Sequence, residues 1–329
     1  MRFGPRPRMF VTGTGRWIES GANLILMAFD VVATSGRIAE MVERDYLVPA
    51  LGQQAAAQLN QFAATGNLDD VDPAEFAARV TKLLQSVTDD LHLRVIHHPD
   101  GAPDLEDDDV YEARWRDQAA VTAGGVRRVE RVPGNIAVVE FGPIIGLPAH
   151  AGNWLTAAMS LCRGADAVVL DLRECVGGTP DGVALICSYL LGPEPVHITD
   201  ILDRHGRRQF WTAALVPGDR LPATCPVAVL VSQRTFSGGE DLAFNLQELG
   251  RATVIGATTR GGAHPRIGVR VHDQLELALP IARPVSPRSG GNWEGIGVQP
   301  DIPCDPEGAF ARAVELLGNE APPPAAPTG

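Results

Sequence analysis

The stretch PVAVLVSQRTFSGGEDLAFNLQEL, residues 226–249, changes from a strand pattern to a helix pattern across a single turn. Its first part, Pro226 to Ser232, is a short run of β-branched residues, which is typical of a buried strand. Its last part, Gly238 to Leu249, is amphipathic and predicts a helix. Ser237 falls at the turn between them. A strand that leads directly into a helix predicts an α/β fold.

The same alternation continues on both sides of this stretch. Further short β-branched runs predict strands at residues 135–141, 165–172 and 252–256, with later strands around 269–279. Amphipathic segments predict helices at residues 154–162 and 181–191, and a last helix near 310–317. Strands that alternate with helices favour crossover connections and a largely buried sheet.

The chain before this region is helical in pattern. Apolar side chains in residues 31–91 recur at spacings of three and four, as Ile38, Met41 and Val42 do. We therefore predict five regions: a poorly ordered extension at 1–29, a helical bundle at 30–98, a linker at 99–124, an α/β domain at 125–318 and a disordered tail at 319–329.

The overall charge argues against a nucleic-acid partner. The formal net charge is −12, whereas a protein that binds a phosphate backbone normally presents a basic face. The sequence contains no apolar run of the length that crosses a bilayer. Oligomeric state stays open at this point, and a homo-oligomer is compatible with the sequence.

The cysteines point to a reducing compartment. There are five of them, scattered and without a CxxC pair, which argues against both a disulfide framework and a zinc site. We predict a cytoplasmic protein without a metal or a cofactor. The arginines before the short apolar stretch Asn23 to Phe29 give the N-terminus a weak likeness to a signal peptide, so secretion stays an alternative.

Ser237 has two readings. Ser-Gly-Gly-Glu fits a capping box, in which Ser237 is the N-cap and Glu240 stands at the third helical position. A cap alone does not need Gly238 and Gly239, each of which lowers helix propensity. Their amides point out of the helix N-terminus, where they can stabilise a developing oxyanion. The second hypothesis is therefore that Ser237 is a nucleophile.

A second glycine turn follows another predicted strand, in Asp171-Leu-Arg-Glu-Cys-Val-Gly-Gly-Thr179. Its plain explanation is a strand-to-helix turn in which glycine provides a positive φ. Its spacing fits neither a dinucleotide fingerprint nor a P-loop. The alternative is that the amide of Gly177 or Gly178 serves as the second oxyanion donor.

A nucleophilic serine needs a base, and histidine is the usual one. The chain has eight histidines. His92 lies where the helical region passes into an extended run. His264 lies in a glycine-rich loop beyond the strand that follows the serine helix. The residues alone do not decide between them, because such triads occur in unrelated chain orders.

Taken together, several motifs resemble those of peptidase family S41, in the branch shared with interphotoreceptor retinoid-binding protein and tricorn protease. They are the Thr235-Phe-Ser-Gly-Gly-Glu stretch, Gly261-Gly-Ala-His-Pro265, Asp171-Leu-Arg with Gly177-Gly178, Asn292-Trp-Glu-Gly-Ile-Gly-Val-Gln-Pro-Asp-Ile302 and Asp90-Leu-His-Leu93. The resemblance covers roughly residues 30–318. It implies a crotonase-like or ClpP-like spiral ββα domain, preceded by a small helical bundle, with 125–318 as the catalytic domain.

The resemblance also implies roles for single residues. Ser237 is implied as the nucleophile. The C-terminal processing branch uses a lysine base, whose place is taken here by Gly262, and the chain has too little room for the PDZ domain of that branch. The tricorn branch uses a histidine and a glutamate, which correspond to His92 and Glu294.

Other parts of the site follow from the same resemblance. The oxyanion is expected between the amide of Gly238 and that of Gly177 or Gly178. His264 is expected to contact substrate or to order its loop. Two departures affect the oxyanion turn and the pocket: Cys175-Val176 precedes the glycine pair, and Arg260 replaces a common glycine.

The resulting hypothesis is a serine peptidase that acts on a peptide or small-molecule substrate. Two alternatives belong to other classes. One is a non-catalytic binder of an apolar ligand such as a retinoid or a fatty acid. The other is an S41-like scaffold recruited to different small-molecule chemistry, because a fold does not determine a function.

Overall fold

The structure is a computed structural model, and it describes residues 16–20, 23–27, 29–66, 68 and 71–320. Most of the predicted disordered tail, and residues 1–15, 21–22 and 28 of the predicted N-terminal extension, lie outside the described residues. No helix in the described part of the chain is long and apolar enough to cross a membrane.

Helices and strands alternate through most of the described chain. The α-helices are α1 (Val31–Asp45), α2 (Pro49–Ala64), α3 (Pro73–Thr88), α4 (Asp108–Thr122), α5 (Pro148–Leu161), α6 (Pro180–Leu190), α7 (Gly238–Glu248) and α8 (Ala309–Glu320). The strands of the main sheet are β4 (Val126–Val132), β5 (Ile136–Phe141), β7 (Ala167–Asp171), β11 (Val227–Val231), β12 (Thr253–Gly256) and β16 (Ile302–Pro303).

Smaller sheets account for the remaining strands. They are β1 (Arg16–Ser20) with β2 (Asn23–Met27), β3 (Arg94–His97) with β13 (Arg266–His272) and β14 (Leu275–Pro280), β6 (Ile144–Ile145) with β8 (Gly177–Gly178), and β9 (His197–Asp203) with β10 (Gly206–Trp211) and β15 (Ala282–Val285). The predicted elements of the α/β region are therefore present. The predicted linker at 99–124 contains α4, and the domain limits stay a prediction.

The chain divides into two compact units, the first formed by residues 1–88, 94–103 and 270–277. In this unit α1 and α2 approach so closely that only glycine fits at position 52 of α2. A Cβ there would come within 2.7 Å of the Val42 carbonyl oxygen. Asp30 caps α1, accepting a hydrogen bond from the Ala33 amide at 2.8 Å. Apolar side chains at helical spacing, such as Ile38, are fully buried.

The second unit comprises residues 89–93, 104–269 and 278–329 and is built on the six-stranded sheet. The strand order is β16-β12-β11-β7-β5-β4, parallel except for the antiparallel edge strand β4. Every residue of β7 and β11 is buried. This explains the apolar sequences of β11 and of the first four residues of β7, because a parallel strand is covered on both faces.

The two faces of this sheet pack against different helices. Val229 and Leu170 belong to the larger core cluster, which includes side chains of α5, α6 and α7. Their neighbours along the strands, Ala228 and Val169, face Ala313 and other side chains of α8. The period of two along each strand therefore assigns alternate residues to opposite faces. This arrangement places the N-terminus of α7, and with it Ser237, at the carboxyl end of β11.

Candidate active site

Ser237 occupies a strained turn directly before α7. Its φ is 51° and its ψ is −119°, whereas an ordinary N-cap residue has an extended backbone. A non-glycine residue in the positive-φ region costs about 1–3 kcal/mol and persists only where its surroundings hold it. Such strain concentrates at functional sites. The side chain is half-buried, so the hydroxyl remains reachable from solvent.

The Glu240 carboxylate holds this turn. Its Oε2 accepts hydrogen bonds from the Ser237 amide at 2.8 Å and the Gly262 amide at 2.9 Å. Its Oε1 accepts from the Gly261 amide at 2.6 Å and from the Thr259 hydroxyl. The residue is fully buried. The predicted capping contact is present, and the same side chain also ties the serine turn to the loop that carries His264, which the sequence reasoning missed.

The two glycines after Ser237 allow the serine turn to approach the second glycine turn. A Cβ on Gly238 would come within 2.3 Å of the Gly178 nitrogen, and one on Gly239 within 2.7 Å of the Cys175 carbonyl oxygen. The structure therefore brings the amide nitrogens of Gly238 and Gly178 into close proximity, with Gly177 beside them. These are the predicted oxyanion donors.

Cys175 supports the glycine turn from inside. Its Sγ donates a hydrogen bond to the Gly177 carbonyl at 3.2 Å, and the side chain is fully buried. Burial raises the pKa of the Cys175 thiol to about 12, so the sulfur is a neutral donor at neutral pH. The thiol is therefore placed to stabilise the turn at one of the two positions, Cys175 and Val176, where the sequence departs from the family pattern.

His92 lies beside the residue that precedes Ser237. Its ring stacks on the Phe236 ring with centroids 4.5 Å apart. A side chain at Gly262 would meet this pair at once, because its Cβ would come within 2.4 Å of the Phe236 Cζ and 2.9 Å of the His92 Cε1. The Arg260 guanidinium lies 5.0 Å from the same phenyl ring. Phe236 and His92 together thus occupy the space that a side chain at position 262 would need.

His264 lies in a cluster with two carboxylates. Its Nδ1 is 2.8 Å from Asp90 Oδ2 and 3.6 Å from Glu294 Oε2. The Glu294 oxygen also accepts a hydrogen bond from the Ala263 amide. Asp90 is fully buried, and its other oxygen accepts from the His92 amide at 2.8 Å. Asp90 therefore holds both histidine segments. This role was not predicted from the sequence, although Asp90 is the first residue of the Asp90-Leu-His-Leu93 motif.

Burial and hydrogen bonding shift the acidities of these carboxylates. Burial raises the pKa of Asp90, but the hydrogen bonds and charges of His264 and His92 together outweigh it and leave that pKa below the ordinary value. Burial raises the pKa of Glu294 and of Glu240, against the hydrogen bonds that each accepts. Asp90 is thus the carboxylate of the cluster best suited to remain charged next to a histidine ring.

The histidine that Glu294 contacts is therefore His264, while the predicted pairing of Glu294 with His92 stays a prediction. The second Glu294 oxygen, Oε1, is buried without a hydrogen-bond partner among the described residues. Ligand atoms of Asp90, His264 and Glu294 all lie within 4.8 Å of one another. At this spacing the three side chains could also ligate one metal ion.

Comparison with known proteins identifies the family. The sequence profile of peptidase family S41 matches residues 134–304, about half of the chain, including both glycine turns and Ser237. The chain belongs to peptidase family S41. A C-terminal processing peptidase of Tetradesmus obliquus is similar, at 30% identity over 165 residues, which cover 49% of this chain and 34% of that protein. This S41 chain spans about a third of the length of the curated relatives that it matches.

Solved structures show the same fold at low identity. A lipoprotein from Streptococcus agalactiae matches with a TM-score of 0.58 and 14% identity, covering 90% of this chain and 99% of that chain. The tricorn protease matches with a TM-score of 0.58 and 12% identity, covering 93% of this chain and 38% of that chain. These matches confirm the predicted fold class, a crotonase-like or ClpP-like α/β domain with a helical region before it.

Proposed function

We propose that this S41 protein is a serine peptidase with Ser237 as its nucleophile. The observation that carries the proposal is the serine turn itself. A strained serine, held by a buried carboxylate, stands at a helix N-terminus beside a second turn of glycine amides. A helix cap requires neither the positive φ nor the close approach of Gly238 to Gly178, whereas an oxyanion site requires both turns together.

The proposed reaction is acyl transfer from a peptide to Ser237 and then to water. The Ser237 Oγ attacks the substrate carbonyl carbon, and a neutral imidazole takes the hydroxyl proton. The resulting oxyanion accepts hydrogen bonds from the amides of Gly238 and of Gly177 or Gly178. The imidazolium returns the proton to the leaving amine, and water then hydrolyses the ester by the reverse use of the same base.

His92 is the proposed base, with Glu294 as the carboxylate that orients and stabilises it, as in the tricorn branch. Two observations support His92: its ring lies against Phe236 next to the nucleophile, and with Phe236 it occupies the space beside Gly262, where the lysine of the other branch would stand. His264 is the proposed substrate contact. His264 also shares a hydrogen bond between its Nδ1 and the buried Asp90 carboxylate, the kind of contact that orients a catalytic base, so both histidines have to be tested.

The first experiment is labelling by a fluorophosphonate probe, with Ser237→Ala as the matched variant. We expect labelling of the wild type and none of the variant. Equal labelling of both, or none of the folded wild type, would sink the proposal. The wild type is also labelled after dialysis against EDTA. Loss of labelling in that sample would show that a metal ion is required, with the Asp90–His264–Glu294 cluster as the first site to substitute.

The second experiment assigns the base by measuring the labelling rates of His92→Gln and His264→Gln. If His92 is the base, His92→Gln loses about 10²–10⁴-fold in rate, and His264→Gln retains labelling but loses affinity for a peptide substrate. The reverse pattern would transfer the base role to His264 and Asp90.

The finer assignments of compartment and partners are also proposals. The five cysteines are all free thiols, four of them buried, which supports a cytoplasmic and reducing location. The net charge of −12 supports peptides over nucleic acids as partners. Alkylation in denaturant at cell lysis, followed by mass spectrometry, checks the first point, since a pair of cysteines that is alkylated only after reduction would contradict it.

A further inference from the structure

A groove of about 700 Å³ lies in the second unit, where the paired strands β6 and β8 end. Leu147, two residues after β6, lies in one wall. Asp181, three residues after Gly178 of β8, lies in another, together with Leu185 from the same helix, α6. A volume of this size is within the range of ligand-binding clefts.

The α6 wall of the groove follows the second glycine turn along the chain. Gly178 is the last residue of β8, and its backbone meets Gly238 beside the nucleophile. From Gly178 the chain enters α6 through Thr179, whose hydroxyl accepts a hydrogen bond from the Gly182 amide at 3.1 Å. The wall of the groove and the proposed oxyanion donor are therefore successive parts of one segment of backbone.

A further wall of the groove is the edge strand β10. This strand pairs with β9 on one side, and no other described strand pairs with its outer side. Phe210 and Trp211 of β10 line the groove, as does Tyr111 of α4. An edge strand that lines a groove offers main-chain donors and acceptors for the addition of an extended peptide.

Trp211 is an exposed aromatic side chain whose ring stacks on a histidine ring. It is 46% exposed, and its ring lies parallel to the His197 ring at 4.5 Å between centroids. The His197 Nε2 is in turn 2.9 Å from Asp200 Oδ1. An aromatic side chain fixed before binding loses little conformational entropy when a ligand covers it, which is typical of a binding hot spot.

We propose that this groove is the substrate cleft, and that it binds an extended peptide segment with apolar or aromatic side chains by adding it to β10. The inference rests on the proposed function only in taking a peptide as the substrate. Alternate peptide side chains contact Tyr111 and Trp211, and the peptide backbone pairs with β10. The Arg208–Asp181 ion pair, at 3.0 Å, adds a polar wall.

The lining favours a peptide over a fatty acid or a retinoid. Tyr111 and Trp211 are 40% and 46% exposed, so the groove is open to solvent at both aromatic side chains. A lipid tail gains most from an enclosed apolar cavity, and this wall carries an ion pair and a strand edge. A peptide uses both features, because its amides need hydrogen-bond partners along the whole bound length.

The test measures binding to Ser237→Ala protein, so that its result does not depend on turnover. The probe is a fluorescein-labelled octapeptide of alternating phenylalanine and threonine with a terminal lysine, followed by fluorescence anisotropy. We expect Trp211→Ala, made in the Ser237→Ala protein, to weaken binding about tenfold or more. Trp154→Ala is the matched control, because Trp154 is 38% exposed on α5 and does not line the groove. It should change affinity less than twofold.

Further arms make the proposal falsifiable if Trp211→Ala does not fold. Tyr111→Ala should weaken binding of the same peptide. A peptide with serine in place of phenylalanine should bind more weakly to the Ser237→Ala protein that keeps Trp211. Equal binding by the Trp211 and Trp154 variants overturns the proposal. So does palmitate that displaces the peptide and binds tightly in a Trp211-dependent way, or a Trp211-dependent dimer that binds no peptide. A failure of probe labelling alone would count against Ser237 and leave this result intact.

Discussion

The turn that carries Ser237 and the segments that carry His92 and His264 are built in different ways. The serine turn is held by groups within three residues of Ser237: its own positive φ, the two glycines that follow it, and the Glu240 carboxylate that accepts its amide hydrogen bond. The histidine segments are held by side chains that are distant in sequence, as in the contact between Asp90 and His264. The difference separates a part of the site that local geometry specifies from a part that only the folded chain assembles.

The largest effect is expected from Gly238→Ala on the serine side. The added methyl group would meet the Gly178 backbone at 2.3–2.7 Å, so one of the two turns has to move. We expect a loss of about 10²–10³-fold in probe-labelling rate, the effect of removing one oxyanion donor. The thermal midpoint should also fall, because overpacking costs about 1–3 kcal/mol.

Gly152→Ala on α5 is the control for that variant. A Cβ at position 152 would lie 3.9 Å from the nearest atom, the Pro148 Cβ, and the φ of Gly152 is not positive. Alanine there should leave labelling unchanged and stabilise the helix by up to about 1 kcal/mol. If both variants label at the wild-type rate, the contact between the glycine turns is not part of the reactive site.

Glu240→Gln probes the link between the two regions. A glutamine amide nitrogen would face amide donors where the carboxylate now accepts four hydrogen bonds. Leaving such buried donors unpaired costs about 1–3 kcal/mol each. We expect a loss of about 3 kcal/mol in the free energy of unfolding by urea denaturation. Glu315→Gln, at an exposed position on α8, should change it by less than about 1 kcal/mol.

Asp90→Asn tests the histidine side. The variant keeps the shape of the side chain but removes the charge that faces His264 and weakens the acceptor for the His92 amide. We expect a loss of about 10–10³-fold in labelling rate and a displaced pH profile, since a carboxylate stabilises the imidazolium. An unchanged rate and profile would reduce Asp90 to a structural contact.

The same variant has a signature in stability. The pKa of Asp90 lies below its ordinary value in the folded protein, so its charge stabilises the fold above about pH 4 and this contribution is lost as the pH falls further. In urea denaturation the Asp90→Asn protein should lack that part of the acid sensitivity. Identical pH dependence in both proteins would contradict the assigned interaction with the histidines.

The serine side was predictable from sequence because its determinants are local. The strand, the turn and the helix around Ser237 are consecutive, and the glycines after it reveal the close approach. The histidine side was not, because Asp90 and His264 are 174 residues apart in sequence and only the fold joins them. Glu240 shows the limit of local reasoning: the capping contact could be predicted, but not its hydrogen bonds to the Gly261 and Gly262 amides.

Substitution of Asp241, in the first turn of α7, is expected to affect the reactive site least. Its main effect should be on how the stability of the fold depends on pH. Burial raises the pKa of this carboxyl to about 7, and its Oδ1 accepts a hydrogen bond from Asn245 at 2.8 Å. The folded protein therefore holds a proton that the unfolded chain releases near pH 4, so stability falls as the pH rises from about 4 to 7.

Asp241→Asn should remove this dependence, because the amide resembles the protonated acid and keeps the oxygen that faces Asn245. Urea denaturation at pH 4 and pH 7 should show equal stability of the two proteins at the lower pH. At pH 7 the variant should be more stable, by up to a few kcal/mol. Asp117→Asn, exposed on α4, controls for the loss of one negative charge. A parallel fall in both proteins would place the pH sensitivity elsewhere, with Glu240 and Glu294, whose pKa values burial also raises, as the next groups to substitute.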